Sequence, residues 1–269
     1  MPKGVEQATY EHILVDHQDG IVTLTFNHPE NLNAMTAAMG DEVTDVVRVL
    51  NQDHSARVLI LTGAGRAFCA GGAKGTLQSR TTSAKSANTE APKTFYKRFL
   101  SLRQLEIPTI AAINGPAVGA GFCVALACDM RVAAANARMG LNFVRLGIHP
   151  GMAGTFTTPR IVGLAKACEV IFTGRLYTGE EAFAMGLVNR VVPPEKLMDE
   201  AVALAREIAS NAPIAVRLAK RALYRGEADL LEAALEVESE HQVYTWTTED
   251  AKEGITAMTE KRAPKFRGV

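Results

Sequence analysis

The chain has no C-x-x-C pair among its four cysteines, no run of eighteen uninterrupted apolar residues and no excess of either charge, with Lys plus Arg and Asp plus Glu both at 29. Each absence removes a class of function. Cys69, Cys123, Cys128 and Cys168 show no zinc-like spacing with histidine, so reduced and mostly buried thiols are expected rather than a metal centre or a disulfide framework. A neutral chain without a basic stripe has nothing to draw it to nucleic acid or an anionic membrane. The opening "MPKGVEQATYEH" lacks the apolar core of a signal peptide, and a cytoplasmic location is the expectation. Aromatic residues make up only 6% of the chain, yet 47% of its 269 residues are hydrophobic, which is enough for a substantial core.

What is present is an alternation of strand and helix patterns. "HILVDHQDGIVTLTFNHPE" reads as a hairpin turning at Gln18-Asp19-Gly20, because Asp-Gly supplies the positive φ of a tight turn. Met39, Val43, Val46, Val47 and Leu50 recur at helical spacing, and "RVLILTG" follows as a continuous apolar strand. The order repeats with a helix from Phe95 to Leu105, the strand "TIAAING", a helix from about Gly119 and the strand "DMRVAAA". Such alternation predicts parallel strands joined by right-handed crossovers. Residues 79–92 are small and polar and read as a surface loop, a candidate lid. Beyond Gly151 helices are expected over 160–173, 179–185, 194–210, 213–224 and 227–260, which divides the chain into a core, 1–195, and a helical C-terminal region, 196–269.

Two stretches are unusually bare. "GAGRAFCAGGAKG", residues 63–75, carries five glycines after a buried strand, and "INGPAVGAGFC", residues 113–123, ends a strand and opens a helix. Each leaves backbone N–H groups uncovered, and the second sets them at a helix N-terminus that favours negative charge. Two such corners can share one oxygen atom and stabilise it as an enolate or oxyanion. The same glycines also serve tight turns and close packing, and either corner taken singly is compatible with that role alone. A dinucleotide fingerprint is excluded, since "GAGRAF" lacks the third glycine of G-x-G-x-x-G.

Six segments, "PENLNAMT" (29–36), "RVLILTGAGRAFCAGG" (57–72), "IPTIAAINGPAVGAGFCVALACDMRVAAANARMG" (107–140), "LGIHPGMAGT" (146–155), "TGRLYTGEEAFAMGLVNRVVP" (173–193) and "EKRAPKFRG" (260–268), together resemble the enoyl-CoA hydratase/isomerase, or crotonase, superfamily. The resemblance implies an α/β fold with a ββα-repeat core and a helical C-terminal trimerisation region, assembled as a homotrimer or homohexamer. It also implies an acyl-CoA thioester as ligand and no cofactor beyond the CoA moiety. By motif, the two oxyanion donors fall on the backbone N–H groups of Gly72 and Ala120. Ala34 and Ala70 match backbone positions that hold the nucleotide and pantetheine, and Phe266 matches an aromatic that packs on the adenine. Lys261, Arg262, Lys265 and Arg267 beside it are candidates for the phosphates or a solvated face.

The resemblance breaks where the proton chemistry belongs. The two glutamates of the hydratases align with Cys123 and Phe143, and the aspartate usual after the first glycine corner aligns with Ala73. Two replacements remain. His149 in "GIHPG" titrates near neutrality, though a histidine bonding a turn carbonyl is equally consistent. Cys123 lies in the first turns of a helix that favours a thiolate, though "VALAC" around it reads as core. Asn142 orients water but carries no proton, and Arg145 only stabilises charge. Three functions therefore stand: a hydratase or isomerase with an unusual proton carrier, His149 first; a CoA-binding protein without hydratase activity; and a thioester or C–C hydrolase or decarboxylase of the same fold.

Overall fold

The computed structural model describes residues 9–73, 77 and 90–269. The hairpin forms as expected, with β1 (Ile13–Gln18) and β2 (Ile21–Phe26) antiparallel about Asp19-Gly20. Helix α1 (Ala37–Leu50) begins where Thr36 Oγ1 accepts the Met39 N–H at 3.1 Å, and it buries Met39, Val43, Val46, Val47 and Leu50. Strands β3 (Val58–Gly63) and β4 (Thr109–Ile113) are buried along their whole length, the pattern of parallel strands covered on both faces. Between them runs α2 (Glu90–Leu100), then a 3-10 turn over Ser101–Gln104. After β4 come β5 (Ala117–Val118), α3 (Ala120–Ala127), β6 (Met130–Ala134) and β7 (Arg138–Gly140).

The main sheet has the order β1-β2-β3-β4-β6-β9, where β9 is Arg190–Val192, and every pairing after the first hairpin is parallel. A smaller sheet joins β5, β7 and β8 (Tyr177–Thr178). The helices α4 (Gly154–Val162), α5 (Leu164–Thr173), α6 (Gly179–Met185), α7 (Leu197–Ala209), α8 (Pro213–Leu223), α9 (Glu227–Trp246) and α10 (Glu249–Glu260) complete the chain. Helix α7 lays Leu197, Ala201, Leu204 and Ala205 against the main sheet.

Three boundaries differ from the sequence reading, each for a local reason. The helix expected over 160–173 is two helices separated by Gly163, and the first of them begins at Gly154. The helix expected over 227–260 breaks at Thr247-Thr248, where Thr248 caps α10. Glu90, Ala91 and Pro92 belong to the first turn of α2, a position proline tolerates, rather than to the loop expected over 79–92, whose residues 79–89 lie outside the described residues. Strands β5, β7, β8 and β9 have two or three residues each, too few for any periodicity to show.

Candidate active site

Because β3 and β4 are parallel neighbours, the two glycine-rich corners leave the sheet side by side at the carboxyl ends of their strands. Backbone hydrogen bonds then sew them together. Pro116 O accepts the N–H groups of Phe68 and Cys69 at 3.1 Å each, and Cys69 O accepts the Val118 N–H at 3.0 Å. Gly119 precedes α3 with φ 58° and ψ −123°, a conformation essentially closed to residues with a Cβ. Gly121 is needed for a different reason: a Cβ there would overlap the Cys69 carbonyl oxygen. The corners are therefore locked in contact, and a Cβ placed on Gly71 would lie 3.4 Å from the Ala120 nitrogen.

Beside them is a cavity of about 590 Å³, whose wall includes Ala70, Gly72, Gly119 and Ala120. Among the described residues, no hydrogen bond engages the N–H of Gly72 or of Ala120. Ala120 is the first residue of α3, so its N–H also lies at the positive end of a helix dipole. The opposite wall is apolar and aromatic, formed by Phe95, Phe143, Leu146, Ile148, Trp246 and Met258. The polar side chains on the lining are Thr36, Tyr96, Asn142 and Gln242; among the described residues it carries no carboxylate and no imidazole.

The candidate proton carriers are placed elsewhere. Cys123 is 1% exposed and its Sγ lies 3.5 Å from Gly151 O, off the cavity wall. Burial drives its thiol pKa well above the ordinary value and the nearby Glu238 carboxylate adds to the rise, which outweighs the helix N-terminus. His149 also stands off the wall: its Nδ1 is 2.6 Å from Pro150 O and its ring meets His241 edge-on, with centroids 4.9 Å apart. Burial lowers its pKa and favours the neutral ring, the Pro150 carbonyl opposing this and His241 adding to it. In the structure the thiol is packed in the core and the imidazole lies against a turn carbonyl, and neither is on the cavity lining. Phe143, which the resemblance matches to a glutamate, does line the cavity.

Of the positions matched to CoA, Ala70 lines the cavity and donates its N–H to Leu32 O at 2.9 Å. Ala34 is buried on the turn that follows the left-handed Leu32 and Asn33. Phe266 is 43% exposed on a tail that Asp250 holds by accepting the N–H groups of Arg267 and Gly268 at 2.8 Å each. Arg262 pairs with Glu253 and Glu260, which ties its charge to the C-terminal helix. Among the described residues no group of three His, Cys, Asp or Glu side chains is placed to hold a metal, and no helix is long and apolar enough to cross a membrane.

Sequence reasoning missed the wall supplied by α9. Glu238, Gln242 and Thr245 follow at spacings of four and three and grip the 149–155 turn. Glu238 accepts the N–H groups of Ala153 at 2.7 Å and Thr155 at 2.8 Å, Gln242 Nε2 donates to His149 O at 3.2 Å, and Thr245 Oγ1 accepts the His149 N–H at 3.0 Å. The available signal was polar residues on the stripe that buries Leu235 and Trp246.

A family model for enoyl-CoA hydratase/isomerase matches residues 16–269. The chain is 38% identical over 258 residues to a crotonyl-CoA hydratase of Syntrophomonas wolfei, covering 96% of this chain and 98% of that one. It is 39% identical over 256 residues to a short-chain-enoyl-CoA hydratase of Clostridium acetobutylicum, covering 93% and 95%. A crystal structure of an enoyl-CoA hydratase from Bacillus anthracis superposes with a TM-score of 0.75 at 38% identity, over 96% of this chain and all of that one. With two glycine corners opening together on an apolar cavity and a match that runs through the C-terminal helices, the chain belongs to the enoyl-CoA hydratase/isomerase family.

Proposed function

We propose that the chain binds an acyl-CoA thioester with its acyl group in the cavity and its carbonyl oxygen between the N–H groups of Gly72 and Ala120. Those donors stabilise the enolate through which hydratase and isomerase chemistry passes. The observation that carries this reading is a pair of unengaged amides beside an apolar cavity of about 590 Å³. The names of the relatives, hydratases of crotonyl-CoA and short-chain enoyl-CoA, agree with the substrate class. Backbone at Ala34 and Ala70 and the ring of Phe266 are proposed to hold the CoA. A homotrimer or homohexamer is expected by light scattering.

A second reading draws on the lack of a carboxylate or imidazole on the described wall. Decarboxylation of a 2-carboxyacyl-CoA needs no base: the C–C bond electrons pass into the enolate that the amides stabilise, CO2 leaves, and water protonates C2. Crotonyl-CoA, a 3-enoyl-CoA and methylmalonyl-CoA, each assayed for binding and for product, separate the readings. Hydration or double-bond migration supports the first, whereas propionyl-CoA and CO2 from methylmalonyl-CoA support the second. Binding of all three without turnover leaves a CoA-ester binding protein, and no binding overturns the proposal.

A further inference from the structure

A second cavity, of about 740 Å³, lies at the other end of the main sheet and shares no lining residue with the first. Its wall takes in Gln104, Leu105 and Glu106, which lead into the amino end of β4, whereas the glycine corner 113–121 leaves the carboxyl end of the same strand. The facing wall is α8 and the turn that follows it. For a chain with equal numbers of basic and acidic residues the lining is strongly basic: it holds Arg103, Arg217, Lys220, Arg221 and Arg225 against one carboxylate, Glu106. Two of the five are neutralised from behind. Lys220 Nζ is 2.8 Å from Asp129 Oδ2 and donates to Ile107 O at 2.8 Å, and Arg103 Nη2 is 2.6 Å from Glu227 Oε2 with its guanidinium over the Tyr224 ring at 5.1 Å.

The other three are not balanced. Arg217 donates to Ala56 O at 3.1 Å, a carbonyl that fixes the guanidinium without cancelling its charge, and among the described residues no carboxylate pairs with Arg217, Arg221 or Arg225. They recur at every fourth residue, so one face of α8 and its last turn stacks three like charges about 6 Å apart, an arrangement that repels. The helix C-terminus offsets that repulsion only for the last turn. Three charges are too few for a surface that draws nucleic acid, and the cavity is too large for one small ion to fill. We infer that this cavity binds a di- or triphosphate group. Guanidinium forks pair with phosphate through two parallel N–H donors, and a chain of phosphates reaches successive arginines where a lone phosphate reaches one. Arg103, Arg217 and Lys220 form a base already held in place by the fold, and the exposed Arg221 and Arg225 close on the ligand from the rim. The site stands apart from the acyl-CoA reading and does not depend on it.

The test is calorimetric titration of the intact protein with inorganic phosphate, pyrophosphate, tripolyphosphate and citrate at low salt, with thermal melts in parallel. Affinity rises from phosphate through pyrophosphate to tripolyphosphate, and citrate binds more weakly than tripolyphosphate. Arg221→Gln and Arg225→Gln each weaken tripolyphosphate about 10-fold, the scale of one hydrogen bond to a charged group, and the double variant weakens it further. Without ligand both variants melt at or above the wild-type temperature, because a repulsion has been removed, while tripolyphosphate raises the melting temperature of the wild type more than that of either variant. Arginines with a merely structural role would do the reverse, lowering the melting temperature without ligand and leaving the tripolyphosphate affinity unchanged. The inference is overturned if tripolyphosphate does not bind, if citrate binds as tightly, or if the variants keep the wild-type affinity. It is also overturned if light scattering shows that the variants change the oligomeric state, which would make the arginines a contact between copies of the chain.

Discussion

The cavity has two kinds of wall. One is made by the corners 63–73 and 113–121, where glycine and alanine expose main chain and side chains are kept out of the way. The other includes Phe95 and Tyr96 of α2 and Gln242 and Trp246 of α9, and behind it Glu238, Gln242 and Thr245 hold the 149–155 turn through side chains. Among the described residues the Gly72 and Ala120 N–H groups of the first wall engage no acceptor, whereas Tyr96 and Gln242 of the second are hydrogen-bonded within the protein. On the proposed reading the two do different work: the backbone wall meets developing charge, and the side-chain wall sets shape and is held in place by α9.

The largest effect is expected from breaking the backbone wall. Ala120→Pro deletes one N–H donor at a position where a helix accepts proline, so the fold survives while turnover of whichever ester is active falls about 10²–10³-fold. Ala120→Gly retains the donor and most of the activity. Steady-state kinetics on both variants checks this, and normal turnover by Ala120→Pro would remove the amide from the mechanism. Gly121→Ala strikes the packing beneath the same wall. Its Cβ overlaps the Cys69 carbonyl, a clash with backbone that cannot be relieved by a rotamer change, and a loss of more than about 2 kcal/mol in denaturant unfolding is expected.

The side chains packed behind the second wall are probed by pH. Burial pushes the Glu238 carboxyl up to about 7 from its ordinary 4.5, while hydrogen bonds from Thr155 and the Ala153 amide pull the other way. A carboxyl whose pKa rises on folding holds its proton more tightly in the folded chain. Its contribution is therefore full below about pH 4.5 and is lost as pH rises through about 7, a change on the order of 2–3 kcal/mol. Thermal melts between pH 4.5 and 8 should show that decline in the wild type and a flatter profile in Glu238→Gln; equal slopes would show that the carboxyl is not the source. The smallest effects belong to Cys123 and His149, which also lie off the lining. Cys123→Ala and His149→Ala should each leave the pH–rate profile of an active ester in its wild-type shape, and a limb near pH 6–7 that vanishes with His149→Ala would restore the imidazole to the chemistry.

The same division explains what could be read from the sequence. Runs such as "RVLILTG" and the Asp19-Gly20 turn place the sheet, because burial and turn geometry act on neighbours in the chain. The backbone wall was legible for that reason: clustered glycines are a local signal, and resemblance across six segments assigned them. The side-chain wall was not. Tyr96 and Gln242 are 146 residues apart and meet only after α2 and α9 pack, and neither carries a motif. His149 and Cys123 show the complementary point: residue type suggests proton chemistry, whereas packing, invisible in the sequence, places both off the lining and shifts both toward their neutral forms.

The central claim is that the Gly72 and Ala120 amides polarise a thioester carbonyl, and it is tested most directly by the carbonyl stretch of a bound ester. Isotope-edited difference infrared spectra of a ¹³C-carbonyl acyl-CoA, free and bound to the wild-type protein, read that bond without requiring turnover. Two converging N–H donors weaken the C=O bond, so the account predicts a stretch at lower wavenumber in the complex than in water. A bound ester whose carbonyl band stays at the solution position, or moves to higher wavenumber as in an apolar medium, would contradict it.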